Sequence, residues 1–279
     1  MDSEKIAVIG LGLIGSIWAA HYKTDGCLVA SWNRTAKPKL DLLQCSLEKC
    51  AQQATLLQIC LYDAASVEAV LDQLEPFLNA SHCVMQSSTI DSISAERIAK
   101  RVQATGASYV EAPFTGSKPA AEERKTVFFL GGEPTVRARV KPMLRHISAQ
   151  QFEIGTPKQA ATIKLSMNLQ LAAMTEALSE SIHMARSAGI ADDTYFEVMK
   201  YNAAWSGLAE LKEPKLRNAD YTPQFSIKNM HKDMRLAQLS SEQELPILKE
   251  VCKRLEKAEN SGYGEDDFVS LIRLLESRT

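Results

Sequence analysis

Three glycines in Gly10-Leu11-Gly12-Leu13-Ile14-Gly15 stand at the spacing G-x-G-x-x-G, between the apolar run Ile6-Ala7-Val8-Ile9 and a helical pattern from Ile14 to Lys23. Each glycine has its own task in such a turn. The first permits the sharp reversal, the second lets the backbone approach a pyrophosphate, and the third lets helix and strand pack closely. Three spaced glycines are weak evidence alone, but a strand before them and a helix after them supply the confirming context. Gly10, Leu11, Gly12, Leu13, Ile14 and Gly15 are therefore expected to hold a dinucleotide, the alternative being a tight strand-to-helix turn with no ligand.

The next strand ends Ser31-Trp32-Asn33-Arg34-Thr35. A site for NAD places Asp or Glu near this point, where it accepts hydrogen bonds from the ribose and repels a 2′-phosphate. No carboxylate stands here. Asn33, Arg34 and Thr35 offer a neutral donor, a cationic fork and a hydroxyl, a set that suits the 2′-phosphate of NADP. The competing reading is a solvated arginine after a strand. Further along, Lys164 and Asn168 lie four residues apart in a helical stretch and so share one face. Among Ile163, Leu165 and Met167, Lys164 either snorkels from an apolar helix or is a buried amine with a chemical task.

These residues need a framework, and the periodicity of the chain supplies one. Strands are expected at 6–9, 27–32, 56–62, 83–86, 108–111 and 127–130, with helices at 14–23, 66–78, 94–105 and 135–146. That alternation implies crossover units on a parallel sheet. A Rossmann-type N-terminal α/β domain is thus expected over residues 1–155. At Thr156-Pro157-Lys158-Gln159 a capping residue, a proline at the first helical position and a glutamine three residues after the cap announce a new helix. Its apolar positions continue to Gly189, giving a helix of about 157–188, roughly 45 Å long. It is expected to run between domains. Helical patterns follow at 194–201, 208–216, 227–240, 247–259 and 267–275, so residues 156–279 are expected to form an all-helical C-terminal domain for substrate binding and dimerisation.

Composition narrows the function classes. The 279 residues carry 32 basic and 34 acidic side chains, which gives no electrostatic reason to expect nucleic acid or an anionic membrane as partner. No apolar run reaches the ~20 residues of a membrane span, and the acidic start Met1-Asp2-Ser3-Glu4 is unlike a targeting peptide. A soluble, cytoplasmic protein is expected. Six cysteines and five histidines show no metal-ligand spacing, so no metal site is expected and the thiols are read as reduced.

Motif after motif, the chain resembles the β-hydroxyacid dehydrogenase family. Gly10 to Gly15 with Asn33-Arg34-Thr35 looks like its cofactor fingerprint in the NADP form. Glu111-Ala112-Pro113-Phe114-Thr115-Gly116-Ser117 is similar to its substrate signature, usually D-x-P-V-S-G-G. Gly155 followed by Lys164 and Asn168 resembles its catalytic segment, and Lys232-Asp233-Met234-Arg235-Leu236-Ala237 its late K-D-x-x-L-A element. The run Gly116-Ser117-Lys118-Pro119-Ala120 with Glu111 looks most like the NADPH-dependent glyoxylate and succinic semialdehyde reductases. The resemblance implies Lys164 as general acid, Asn168 as the residue orienting substrate, and Thr115, Gly116 and Ser117 as binders of the substrate carboxylate. It also implies that Leu61, Tyr62 and Thr89 line the nicotinamide side and that Lys232 contacts cofactor or substrate. A lysine with a free pKa near 10.4 is a poor acid at neutral pH, so such a role needs surroundings that lower it. Phe114, Thr115, Ser117 and Arg124 depart from the family pattern and are read as touching the substrate side, while Tyr62 replaces a proline at the nicotinamide wall.

The expected activity is reduction of a small anionic carbonyl compound, glyoxylate or succinic semialdehyde, with NADPH. A 3-hydroxyisobutyrate dehydrogenase type, an imine reductase relative and an NADPH-binding sensor or scaffold are the alternatives. One long apolar helix in a helical domain further suggests a homodimer or homotetramer.

Overall fold

The computed structural model describes residues 4–276. Short apolar runs at the predicted positions form β1 (Ile6–Ile9), β2 (Leu28–Trp32), β3 (Leu56–Ile59), β4 (Cys83–Gln86) and β5 (Ser108–Glu111), which are parallel in the order β2-β1-β3-β4-β5. The sheet continues through β6 (Phe114–Thr115) and β7 (Thr126–Gly131), where β7 is antiparallel to both β5 and β6, and β8 (Ser148–Gly155) pairs with β7 in parallel. Crossovers run through α1 (Leu13–Thr24), α2 (Leu47–Gln53), α3 (Ala64–Leu74) and α4 (Ser92–Ala104), followed by α5 (Lys118–Glu122) and α6 (Pro134–Leu144).

Alternate strand residues face opposite sides of the sheet. Ala7, Ile9, Leu57, Ile59 and Val84 pack with Val67, Leu71, Ile98 and Val102 of α3 and α4. Ile6, Val8, Leu56, Met85 and Val110 pack with Trp18, Tyr22, Val140 and Leu144 of α1 and α6. Both faces are covered, as a parallel sheet requires. The chain leaves β1 to one side for β2 and to the other for β3, so the strand order reverses at β1. Such a reversal opens a crevice at the carboxyl ends of the strands, the ordinary ligand position in open α/β sheets.

Four elements lie outside the expected pattern: α2, β6, α5 and β8. They are short or weakly patterned. The only local signal for α2 is Ser46, whose hydroxyl accepts the Lys49 N–H, and β8 leaves most of its side chains partly or fully in solvent.

Helices α7 (Pro157–Ser187), α8 (Asp192–Met199), α9 (Gly207–Arg217), α10 (Ile227–Ser240) and α11 (Pro246–Ala258) follow, then a 3₁₀ turn over Phe268–Ile272 leading into α12 (Arg273–Glu276). The capping box at the start of α7 closes in both directions. The Thr156 hydroxyl accepts the Gln159 N–H at 3.3 Å, and the Gln159 side chain accepts the Thr156 N–H at 2.9 Å. The chain divides into two compact units, one reaching to Lys164 and one starting at Leu165, so the division falls inside α7. The second unit has no strand among its described residues. Its cores gather Leu165, Ala172, Met230, Met234, Leu248 and Leu255 in one cluster, and Leu178, Ile182, Phe196, Leu216 and Val269 in another.

A buried ion pair ties the second unit together. Asp267 accepts the Val269 N–H at 3.1 Å, capping the last helical turn, and it also accepts the Gln224 N–H and binds the Lys212 ammonium at 2.8 Å. Lys212 is 1% exposed and its ammonium lies over the Phe268 ring at 4.6 Å. Breaking such a pair from one side leaves an uncompensated charge in the interior, which costs about 3–5 kcal/mol. Lys212→Met should destabilise the protein by that amount in a denaturant titration, and a loss below about 1 kcal/mol would show the pair to be energetically idle.

Candidate active site

The glycine turn sits at the reversal point of the sheet. Gly10 has φ +103°, and a Cβ there would come within 2.2 Å of the Cys60 carbonyl oxygen at the end of β3. A Cβ on Gly15 would stand 2.0 Å from the Gly10 carbonyl oxygen, so neither position tolerates a side chain. Gly12 is different: a Cβ there meets nothing within 4 Å. The first and third glycines are thus consumed by internal packing, while the second borders open space. Gly12 caps α1, whose first turn has no side-chain cap and no acidic residue, leaving its positive end to an anion. These features fit a dinucleotide pyrophosphate. Leu11 is buried in the core and Leu13 is 60% exposed, so of the two only Leu13 presents its side chain at the surface of the turn.

The structure uses Asn33 in a way that spacing did not indicate. Its Oδ1 accepts the Leu11 N–H at 2.9 Å and its Nδ2 donates to the Thr35 carbonyl at 2.6 Å. The amide oxygen therefore fastens the loop after β2 onto the glycine turn, and the amide nitrogen ties that loop to itself. Arg34 and Thr35 are exposed beyond it, and Lys37 and Lys39 follow on the same exposed loop. Among the described residues Arg34 makes no ion pair.

At the end of β3, the Leu61 N–H donates to the Ser88 hydroxyl at 2.8 Å, and Leu61 and Thr89 are half-buried while Tyr62 is 45% exposed. After β5 the chain turns through Thr115, Gly116 and Ser117, all half-buried. Ser117 is the cap residue of α5, yet its hydroxyl makes no capping bond. Phe114 packs edge-on against Trp18 at 4.7 Å and against Phe128 at 6.1 Å, which fixes the start of the turn. Lys164 approaches this turn from the beginning of α7, anchored by the buried Ala160 and Ala161. Its Nζ lies 6.0 Å from the centre of the Phe114 ring, and the residue is 9% exposed. Lys164 is thus buried rather than snorkelling to the surface.

In the second unit, the Asn168 side chain donates from Nδ2 to Oδ2 of Asp233, and Lys232 Nζ stands 3.1 Å from Asp233 Oδ1. Asp233 is 2% exposed. It is a buried polar partner that spacing alone did not single out. The signal was its place beside Lys232 in the Lys232-Asp233 pair, where one acid among buried helix positions needs partners.

Arg124 is not where the family pattern suggested. It adopts φ +59°, unusual for a residue with a side chain, and makes a two-pronged contact with Asp25 while also donating to the His146 carbonyl at 3.0 Å. Asp25 follows the last residue of α1, a helix about 18 Å long by its twelve residues, whose other end carries the glycine turn. Arg124 thus braces the far end of the sheet from the cofactor crevice. No group of three His, Cys, Asp or Glu side chains among the described residues is arranged to hold a metal ion.

The chain matches known proteins in both halves. The profile described as the NAD binding domain of 6-phosphogluconate dehydrogenase matches residues 5–155, and that described as NAD-binding of NADP-dependent 3-hydroxyisobutyrate dehydrogenase matches 159–275. The chain belongs to the β-hydroxyacid dehydrogenase family. It is a nicotinamide-dependent oxidoreductase acting on CH–OH groups, with a Rossmann domain followed by a helical domain. Two family members from Arabidopsis thaliana cover nearly all of it. Glyoxylate/succinic semialdehyde reductase 1 is 25% identical over 96% of this chain and 97% of its own length. Glyoxylate/succinic semialdehyde reductase 2, chloroplastic, is 28% identical over 99% of this chain and 81% of its own length. The crystal structure of 3-hydroxyisobutyrate dehydrogenase from Salmonella typhimurium superposes with a TM-score of 0.85 at 25% identity, covering 98% of this chain and 100% of that one. Within this family frame no helix of the described residues is long and apolar enough to cross a membrane.

Proposed function

We propose that the chain is an NADPH-dependent reductase of a small anionic carbonyl compound, with glyoxylate and succinic semialdehyde as the leading substrates. The observation that carries the reading is the placement of a nine-tenths buried lysine beside Phe114, at the head of the turn expected to hold a carboxylate. NADPH, when bound, supplies the hydride. As charge grows on the carbonyl oxygen, the Lys164 ammonium donates the proton, a role worth about 10²- to 10⁴-fold in rate. Thr115 and Ser117 offer hydroxyls, and the turn with Gly116 offers backbone N–H groups, to hold the substrate carboxylate at fixed distance. Asn168, one helical turn beyond Lys164 and steadied by Asp233, orients the substrate. Lys232 adds positive charge toward cofactor or substrate. Leu61, Tyr62 and Thr89 form the nicotinamide wall.

The preference for NADP rests on the loop after β2, which presents Arg34, Lys37 and Lys39 without a carboxylate between β2 and Lys39. The substrate class is supported by the names of the two Arabidopsis relatives. The name of the Salmonella relative favours oxidation of a 3-hydroxy acid as the second reading. Apolar Met167 and Met184 stay 41% and 72% exposed on α7, which supports a homodimer or homotetramer.

The deciding assay follows NADPH fluorescence with glyoxylate, succinic semialdehyde and other short 2-oxo acids, and NADP⁺ reduction with 3-hydroxyisobutyrate. Rapid loss of NADPH with the aldehydes is the expected result. Turnover of the hydroxy acid alone would favour the second reading, and no turnover in either direction would favour a sensor.

A further inference from the structure

The substrate turn is preceded by a carboxyl group that the reaction scheme does not use. Glu111, the last residue of β5, is 0% exposed and lies directly beside Gln86, its register partner at the end of β4. The Gln86 Nε2 donates to Glu111 Oε1 at 2.9 Å and to the Ser88 carbonyl at 3.0 Å, while Gln86 Oε1 accepts the Ser88 N–H. The Ser88 hydroxyl in turn accepts the Leu61 N–H at 2.8 Å. On the other side, the Tyr109 hydroxyl donates to Glu111 Oε2. An unbroken hydrogen-bonded chain therefore runs from Tyr109 through Glu111, Gln86 and Ser88 to the backbone of Leu61. It crosses the carboxyl ends of β5, β4 and β3, where loops carrying proposed substrate and nicotinamide contacts depart.

We propose that Glu111 is a positioning residue for the reduction: clamped between Gln86 and Tyr109, it sets the spacing between the loop after β3 and the Thr115–Ser117 turn after β5. The inference rests on the reductase reading, because the two loops are assigned their partners there. A buried polar chain of this kind is rigid only while every member is satisfied. Glu111 has no cationic partner among the described residues. The titratable groups facing it are Tyr109 from its own strand and Asp91 at the cap of α4, and neither compensates a negative charge. Burial, with a smaller push from the Asp91 carboxylate, raises the Glu111 carboxyl to about 8, against hydrogen bonds from Tyr109 and Gln86 that pull it down. At neutral pH burial favours the protonated carboxyl, in which the contact with Tyr109 reverses and the tyrosine oxygen accepts the acid proton. When it ionises, the new charge must find water, and water can reach it only if the strand ends open.

The folded protein holds this proton up to about pH 8, whereas the unfolded chain releases it in the ordinary carboxylate range. The stability it contributes is full below that range and is lost as pH rises through the folded value. Glu111→Gln keeps a donor and an acceptor but cannot ionise, and Glu111→Ala breaks the chain.

The test compares pH profiles of kcat/KM with NADPH and glyoxylate, together with melting temperature from pH 6 to 9. Wild type should lose activity about tenfold per pH unit above 8, and Glu111→Gln should retain at least about a third of kcat at pH 7 with that limb moved up by a unit or more. Glu111→Ala should lose at least about tenfold in kcat at pH 7 while NADPH affinity stays within about threefold. Profiles of wild type and Glu111→Gln that superimpose, or an alanine variant with full kcat, would overturn the proposal. If wild type itself turns over no carbonyl compound, the reductase reading fails instead. The melting curves then decide: wild type must lose stability relative to Glu111→Gln as pH rises, and parallel curves count against the clamp.

Discussion

Lys164→Ala should lose about 10²- to 10⁴-fold in kcat for carbonyl reduction, the range expected when a positioned proton donor is removed, while binding NADPH within about threefold of wild type. The separation follows from where the groups sit. The cofactor contacts proposed in the first unit come from the glycine turn and the loop after β2, and Asn33 holds those two segments together without help from α7. Lys164 is instead held by the buried start of α7, with its Nζ beside Phe114. Truncation leaves the Thr115–Ser117 turn intact, so substrate affinity should change less than turnover. Steady-state kinetics with glyoxylate and a fluorescence titration with NADPH measure both quantities. Retained turnover would eliminate the lysine as acid, and parallel loss of NADPH binding would show that its role is structural.

Reversing the charge at Arg34 should weaken NADPH by about 10- to 100-fold, the equivalent of one charged hydrogen bond at about 1.5–3 kcal/mol, and leave NADH within about threefold. In Arg34→Asp the guanidinium is lost and a carboxylate is introduced at the point where NAD-selective sites carry one. The substitution is a clean probe because the loop does not depend on Arg34 for its position: the Asn33 amide does that work, and Arg34 is exposed. Lys37 and Lys39 remain, so some preference for NADPH should survive, with a steeper dependence on salt than for NADH. Equal losses for both cofactors would place Arg34 away from the 2′-phosphate.

Most of the first unit was legible because its signals are local. A period of two for strands and about 3.6 for helices depends only on near neighbours, and so does the capping box of Thr156 and Gln159. Short elements such as α5 and β6 fell below what a period can register. The site was legible where one motif contains its own geometry, as the glycine turn does. Spacing could not register where a side chain turns toward distant chain: Asn33 toward Leu11, and Arg124 toward Asp25.

By itself the sequence determined the order and type of the main elements, the dinucleotide turn, the family and the presence of a lysine on the face shared with Asn168. Each rests on spacings of a few residues, over which chain geometry leaves little choice. Only the tertiary structure decided which polar groups are consumed by the fold and which stay available for chemistry. Asn168 finds Asp233 across 65 positions, Gln86 finds Glu111 across 25, and Leu61 finds Ser88 across 27. Sheet order and helix packing bring these partners together, and once they are buried each must be satisfied or destabilise the fold.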